Sequence, residues 1–280
     1  LIGMARSPRL RLDELVVARG LAPNRSAARG FIMAGLVQVA GKTSDKAGTQ
    51  VSVDVEIVLK TRPRFISRAG QKLAHALDRF GVEVVGALAL DVGASTGGFV
   101  DCLLQAGAER VIALDVGRAQ LDRRLLLDPR VRSLERVNAR YLVCEQLPYV
   151  PDLVTMDVSF ISVCKVLPAV IACMAPTFQG IVLIKPQFEA GPALVGKGGV
   201  VRDPAVHRAV LLERGRFVVE ELGIDLLGVC ESGLPGADGN EEFFFHIARG
   251  GEKGPGLDRL EPMVQKVLVG AERPGGATES

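Results

Sequence analysis

Cysteine is scarce in this chain, and its spacing shows no organisation. The five residues, Cys102, Cys144, Cys164, Cys173 and Cys230, are odd in number, scattered, and never arranged as Cys-x-x-Cys. That pattern argues against a disulfide framework and against a zinc site, so free buried thiols and no bound metal are expected. Long apolar runs are missing too. No stretch reaches the roughly 20 residues of a membrane span, and the basic N-terminus lacks an apolar signal core. The expectation is a soluble, cytoplasmic protein without a membrane partner.

Net charge is also low, at +2, but it is unevenly placed. Through Arg68, twelve Lys and Arg stand against five Asp and Glu, which leaves −5 for the remaining residues. A basic first quarter on a mildly acidic body has the form of an anchor for a polyanion. Composition and spacing divide the 280 residues into a small module at 4–61, a linker at 62–67, a larger body at 68–250 and a tail at 251–280.

In the module, spacing predicts a short helix over 11–20 with Leu12, Leu15 and Val16 on one face and Gly20 as its left-handed cap. Asn24 then caps a second helix carrying Ala27, Ala28, Phe31 and Ile32, closed by Gly35. Arg25 and Arg29 stand four apart, so both guanidinium groups leave the same side of that helix, where they can hold phosphate oxygens. A strand at 36–39, a turn at Gly41 and a half-buried strand follow; in the latter, Val51, Val53, Val55 and Ile57 alternate with Ser52, Asp54 and Glu56. This order of pieces, with Arg11-Leu12-Asp13, Gly20-Leu21-Ala22, Arg25-Ser26 and Gly35-Leu36-Val37-Gln38-Val39, resembles the S4 RNA-binding module over about residues 9 to 60. The resemblance implies an RNA-facing surface on the two helices. The basic residues expected to meet RNA are Arg6, Arg9, Arg11, Arg25, Arg29, Lys42, Arg62, Arg64 and Arg68.

The body opens with an apolar strand at 88–92 that runs into Gly93-Ala94-Ser95-Thr96-Gly97-Gly98 and then into a helix. Three glycines in six positions let the backbone turn sharply and let a ligand approach it. Asp115 ends the next strand, 22 positions beyond Gly93, where a carboxylate can accept both ribose hydroxyls of an adenosine group. The turn has neither the Gly-x-Gly-x-x-Gly fingerprint nor the Lys-Ser/Thr ending of a phosphate loop. S-adenosyl-L-methionine therefore suits it better than a pyrophosphate-bearing ligand. Further apolar strands are expected at 111–114, 152–157, 181–184, 226–230 and 243–247. Helices lie between them, one at 204–221 with Asp203 as N-cap and Gly223 just past its end, and a short one is placed near 260–269. Strands this apolar belong to a sheet covered on both faces. The fold class is α/β: a doubly wound, mostly parallel Rossmann-like sheet whose last strand is antiparallel, preceded by a small α+β module.

Four polar residues stand where strand ends or helix starts of such a sheet meet: Lys72, Asp157, Lys185 and Glu242. Lys185 finishes the aliphatic run Ile181-Val182-Leu183-Ile184, a costly place for an ammonium without a task or partner. The set suits methyl transfer to a ribose hydroxyl, a poor nucleophile that needs a group to take or polarise its proton. Lys185, with a second cation beside it, fits the activating position; Asp157 would hold it, and Lys72 and Glu242 would position the acceptor.

Taken with Ser67-Arg68, Asn138-Ala139-Arg140, Asp157-Val158-Ser159-Phe160-Ile161-Ser162, Lys185-Pro186-Gln187-Phe188-Glu189, Gly198-Gly199-Val200-Val201 and Gly239-Asn240, the glycine turn makes the chain resemble the TlyA family from Arg9 to Ile247. The resemblance implies 2'-O-methylation of ribosomal RNA on cytidine, with S-adenosyl-L-methionine as donor and ribosomal RNA or ribosomal subunits as partner. No protein partner is inferable. It places the donor against Asp91, Gly93, Ala94, Ser95, Thr96, Gly97, Gly98, Asp115 and Asn138, and the chemistry on Lys72, Asp157, Lys185 and Glu242. The chain departs from the family at Pro63-Arg64-Phe65-Ile66, where some members carry a tryptophan tetrapeptide, and at Ala69 in Ser67-Arg68-Ala69-Gly70. Two other readings compete: an RNA-binding protein with a degenerate methyltransferase fold, and a membrane-lytic hemolysin, a name some family members carry.

Overall fold

The computed structural model describes residues 8–60, 64–236, 238–251 and 253–271, which divide into two compact units between Arg64 and Phe65. The first unit holds β1 (Arg9–Arg11), α1 (Leu12–Ala18), α2 (Arg25–Met33), β2 (Val37–Val39), β3 (Lys42–Ser44), β4 (Gln50–Ser52) and β5 (Ile57–Leu59). Its core is Leu12, Leu15, Val16, Ala28, Ile32 and Val37, with Val51 at the margin. Asn24 caps α2 through its side-chain oxygen, which accepts from the Ala27 N–H at 2.9 Å. Ala40 and Gly41, both left-handed, turn β2 back onto β3.

One expectation for this unit fails. The single alternating strand at 51–57 is two strands in different sheets, since β4 pairs with β1 and β5 with β2. Ser52 breaks it: its carbonyl accepts the Val55 N–H at 3.1 Å, and its hydroxyl accepts the Asp54 N–H at 3.4 Å, a local turn that competes with the ladder.

The second unit is built on one seven-stranded sheet. In chain order its elements are α3 (Arg68–Phe80), β6 (Leu88–Val92), α4 (Gly98–Gln105), β7 (Arg110–Asp115), α5 (Arg123–Leu126), β8 (Val131–Glu135), β9 (Leu153–Met156), α6 (Leu167–Ala172), β10 (Phe178–Ile184), α7 (Pro186–Glu189), α8 (Pro204–Arg216), β11 (Asp225–Glu231), β12 (Phe243–Arg249) and α9 (Leu260–Ala271). The strand order is β11-β12-β10-β9-β6-β7-β8, with β12 antiparallel to both neighbours and the remaining pairs parallel. Successive strand residues feed opposite faces. Leu90, Val92, Val154, Met156, Val182 and Ile184 enter one core with α6, α8 and α9; Ala89, Val111, Leu153, Ile181 and Leu183 enter the other with α3 and α4.

The strand β8 was not expected. Val131-Arg132-Ser133-Leu134-Glu135 is an outer strand, only partly buried, so it lacks the apolar run that marks the inner ones. Phe65, inside the stretch read as a linker, is buried in the second unit's core. The expectation of unpaired thiols also fails in part: Cys144 and Cys173 form a disulfide across 29 positions, with Cα atoms 4.9 Å apart, whereas Cys102, Cys164 and Cys230 form no disulfide among the described residues. Thiols 29 residues apart carry no spacing signal, and only the docking of α6 beside the 139–146 segment brings them together. Asp203 caps α8 at the Ala205 N–H, and the helix runs on through a π-helical segment at Phe217–Glu221 to Gly223.

Candidate active site

The order of the sheet reverses between β6 and β9, and the crevice above their C-terminal ends is where a doubly wound sheet takes its ligand. A cavity of about 400 Å³ lies there. Gly93, Ser95, Asp115, Val116, Gln120, Val137, Asn138, Asp157 and Phe160 are among its walls, an apolar pocket with a few polar groups. A second cavity of about 110 Å³ shares Gly93, Ser95 and Asp157 with it and reaches Ser67, Ala69, Ala94, Thr96, Gly98 and Phe99.

Gly93 turns with φ +86°, and a Cβ built on it would stand 2.3 Å from the Asp157 carbonyl oxygen. No other residue fits between the two strand ends. Gly97, at φ +95°, is kept small for a different reason: its Cβ would meet Leu125 and Leu121, and it lines neither cavity. Asp115 is held at the end of β7 by two N–H donors, with Ser95 giving to one carboxylate oxygen at 2.8 Å and Gly117 to the other at 2.6 Å. Asn138 lines the larger cavity while its side-chain oxygen accepts from the Arg140 N–H at 3.0 Å.

Asp91 departs from its expected role. It is fully buried in β6 and lines neither cavity; the Thr155 hydroxyl donates to one carboxyl oxygen at 2.7 Å, and the other oxygen has no hydrogen-bond partner among the described residues. Burial, helped by the nearby charges of Asp157 and Asp115, pushes this carboxyl up to about 8 against the Thr155 hydrogen bond. It is a protonated floor under the glycine turn.

The four candidate chemical residues form two ion pairs. Lys185 Nζ contacts the Asp157 carboxylate and donates to Ser159 Oγ at 3.0 Å. Lys72 Nζ donates to Glu242 Oε2 at 2.6 Å, with both side chains buried. Gln187, two residues past Lys185, donates to the other Glu242 oxygen at 3.4 Å and so links the pairs. Each lysine thus has its own carboxylate partner, Asp157 for Lys185 and Glu242 for Lys72. Sequence reading missed Glu189. Its carboxylate accepts from Ser162 Oγ at 2.6 Å and from the Val163 N–H at 2.8 Å, clamping α7 to the 157–163 loop, and burial pushes it up. Gln120 also went unseen, since a lone glutamine after a strand carries no signal.

Among the residues expected to face RNA, Arg6 and Arg62 lie outside the described residues. Arg25 and Arg29 leave the same side of α2 as expected, but they converge with Arg11 on the fully buried Asp13, at 3.2, 3.1 and 3.0 Å. Those guanidiniums hold Asp13 well below the usual carboxylate range. Arg25 also meets Glu14, Arg9 donates to the Gln50 carbonyl, and Arg68 donates to the Pro235 carbonyl. Lys42 and Arg64 are exposed. Each paired guanidinium retains open donors, and Arg25 and Arg29 are half exposed.

Among the described residues no helix is long and apolar enough to cross a membrane. A family model described as FtsJ-like methyltransferase matches residues 65–249, and one described as S4 domain matches residues 10–57. The 16S/23S rRNA (cytidine-2'-O)-methyltransferase TlyA of Mycobacterium tuberculosis is 42% identical, over 95% of this chain and 98% of that protein. Hemolysin A of Brachyspira hyodysenteriae is 40% identical over 85% of this chain and 99% of its own length. A solved Streptococcus thermophilus protein, described as a hemolysin candidate, superposes with a TM-score of 0.70 at 37% identity, covering 94% of this chain and 96% of that one.

Proposed function

The chain belongs to the TlyA family, an S4 domain followed by an FtsJ-like methyltransferase, and from that premise we propose that it transfers a methyl group from S-adenosyl-L-methionine to the 2'-hydroxyl of a cytidine in ribosomal RNA. The observation that carries the reading is the Lys185–Asp157 pair at neighbouring strand ends, with Asp157 lining both the large cavity and the small one beside it. The large cavity suits the donor. Its glycine cradle would be filled by any Cβ, its Asp115 carboxylate stands at the tip of β7 for a ribose, and Val116, Val137 and Ile161 offer an apolar seat for a base.

When bound, the donor supplies an electrophilic sulfonium methyl. Everything else falls to the protein. Lys185 Nζ is the group placed to take or polarise the proton of the acceptor hydroxyl, and Asp157 and Ser159 fix its position. Lys72 and Glu242, buried and mutually paired, hold the acceptor side in place through Gln187. The work is mostly alignment, since an alcohol and a methyl donor in line react far faster than the same groups free in water. The basic S4 unit selects ribosomal RNA, and the cytoplasm is where ribosomal subunits are met.

Lys185→Ala tests the assignment: methyl incorporation into subunits should vanish while subunit binding stays within about threefold of the parent. Normal turnover by that variant removes Lys185 from the mechanism. Calorimetric titration of the parent with S-adenosyl-L-methionine, alone and with subunits, separates the enzyme from a binding-only protein; no heat in either case refutes the enzyme. Relatives named hemolysin make lysis worth measuring, and erythrocyte lysis by purified protein independent of the methyl donor would favour that reading instead.

A further inference from the structure

The methyltransferase unit has a basic tract of its own. Between positions 118 and 140, seven arginines and no lysine stand against three carboxylates, Asp122, Asp128 and Glu135. That is a local charge of +4 inside a part of the chain that otherwise runs acidic. All seven arginines are exposed. Arg124 and Arg130 are tied to Asp122 and Asp128 by short two-residue loops. Arg118, Arg123, Arg132, Arg136 and Arg140 make no ion pair or side-chain hydrogen bond among the described residues. Arg140 lies over the Tyr141 ring, 5.3 Å from its centroid, and none of the five has a carboxylate partner there, so this surface carries positive charge that a polyanion can meet.

Their placement gives that charge a direction. Among the described residues the strand β8 pairs with β7 alone, which leaves its other edge without a strand partner there; Arg132 lies on β8 and Arg130 just ahead of it. From this edge the tract runs to the rim of the large cavity. Arg136 sits at φ +61°, a conformation costly to a residue with a side chain, and is fixed there by its own N–H to the Gly117 carbonyl and the Val137 N–H to the Asp115 carbonyl, both 3.1 Å. Val137, Asn138 and Ala139, between Arg136 and Arg140, are cavity wall. Arg118 lies two residues before Gln120, which is also wall.

We propose that this tract is a second phosphate-binding surface, by which the methyltransferase unit itself grips the RNA backbone beside the nucleotide it methylates. The inference rests on the rRNA reading above. An all-arginine composition favours phosphate, because the planar guanidinium meets two phosphate oxygens at once, and an open strand edge adds backbone donors to the same face. The S4 unit would then set which RNA is bound, and the tract would hold the backbone beside the donor cavity.

The test uses the full chain and ribosomal subunits from cells lacking the gene, with binding measured across a range of salt concentrations. Arg132→Gln/Arg136→Gln/Arg140→Gln should lower affinity by about ten- to a thousandfold at low salt and flatten the slope of log affinity against log salt by about two to three, since each phosphate contact contributes about 0.7 to 0.9. Affinity for S-adenosyl-L-methionine should stay within about twofold. A second variant, Arg118→Gln/Arg123→Gln/Arg132→Gln, avoids the strained position and should behave alike. If the parent methylates the rRNA and both variants keep its affinity and its slope, the tract is idle and the proposal is overturned. If the parent itself neither binds nor methylates rRNA, the rRNA reading falls first and takes this inference with it.

Discussion

Adding one methyl group at Gly93 should disable the enzyme through geometry alone. In Gly93→Ala the new Cβ would lie 2.3 Å from the Asp157 carbonyl oxygen and 2.9 Å from its carbon, whereas ordinary contact begins near 3.4 Å. One strand end must therefore retreat by about 1 Å. Both obstacles are backbone, so no rotamer change relieves them, and the φ of +86° adds strain of about 1 to 2 kcal/mol for a residue with a Cβ. With overpacking at about 1 to 3 kcal/mol, the expected loss of stability is roughly 2 to 5 kcal/mol. The displaced residue carries the carboxylate that holds Lys185, and a misplacement of that size costs on the order of a hundredfold in rate. Urea unfolding, calorimetry with the donor and methyl incorporation into rRNA measure the three effects. Gly97→Ala is the matched control: its φ is equally left-handed, but its Cβ meets the side-chain ends of Leu125 and Leu121 and touches no cavity. It should lose stability, roughly 1 to 3 kcal/mol, yet keep donor affinity within about threefold. A Gly93→Ala protein with parental donor affinity and turnover would refute the reasoning.

Other perturbations follow from charges and covalent ties. Asp13→Asn removes the carboxylate shared by Arg11, Arg25 and Arg29 and should destabilise the first unit by roughly 1 to 3 kcal/mol in thermal unfolding. Because that carboxyl is depressed in the folded state, its contribution is complete above about pH 4 and fades as pH falls further, and the variant should lack this acid-range loss. Asp91 behaves the opposite way. The folded protein keeps its proton up to about pH 8 while the unfolded chain releases it near 3.8, so stability should fall as pH rises between those values; Asp91→Asn should flatten the profile in urea midpoints taken from pH 5 to 9. Reduction of Cys144–Cys173 opens a loop of 29 positions, and a urea titration with and without dithiothreitol should show a loss of about 3 to 4 kcal/mol.

The inner strands were legible because each is a short, mostly apolar run, and Asp157, Lys185 and Glu242 stood out as charged residues abutting such runs. What failed depended on neighbours distant in sequence. Arg132 and Glu135 hid β8, since an outer strand needs no apolar face on its open side. The facing of Arg25 and Arg29 could be read from their spacing, but not that Asp13, from another helix, would meet them. In the same way Lys72 and Glu242 were both singled out, yet their pairing depends on a contact across 170 positions. Asp91 was misplaced because β6 alternates: the residue that looks adjacent to the glycine turn in sequence points into the sheet's interior, toward Thr155.

The position of β12 bears on the order in which the molecule can be made. Although it is the last strand in chain order among the described residues, it lies between β10 and β11, both of which are synthesised earlier. Until residues 243–249 emerge, those two strands face each other across a gap with unpaired edges, the state in which a nascent chain is most open to wrong partners. The walls of the large cavity all come from residues 92 to 166, so they are in hand long before that point. Glu242 arrives only with the closing strand. A chain stalled before that point therefore holds the walls of the large cavity and both lysines but lacks Glu242, the partner of Lys72, so completion of the sheet and completion of the proposed catalytic set are the same late event.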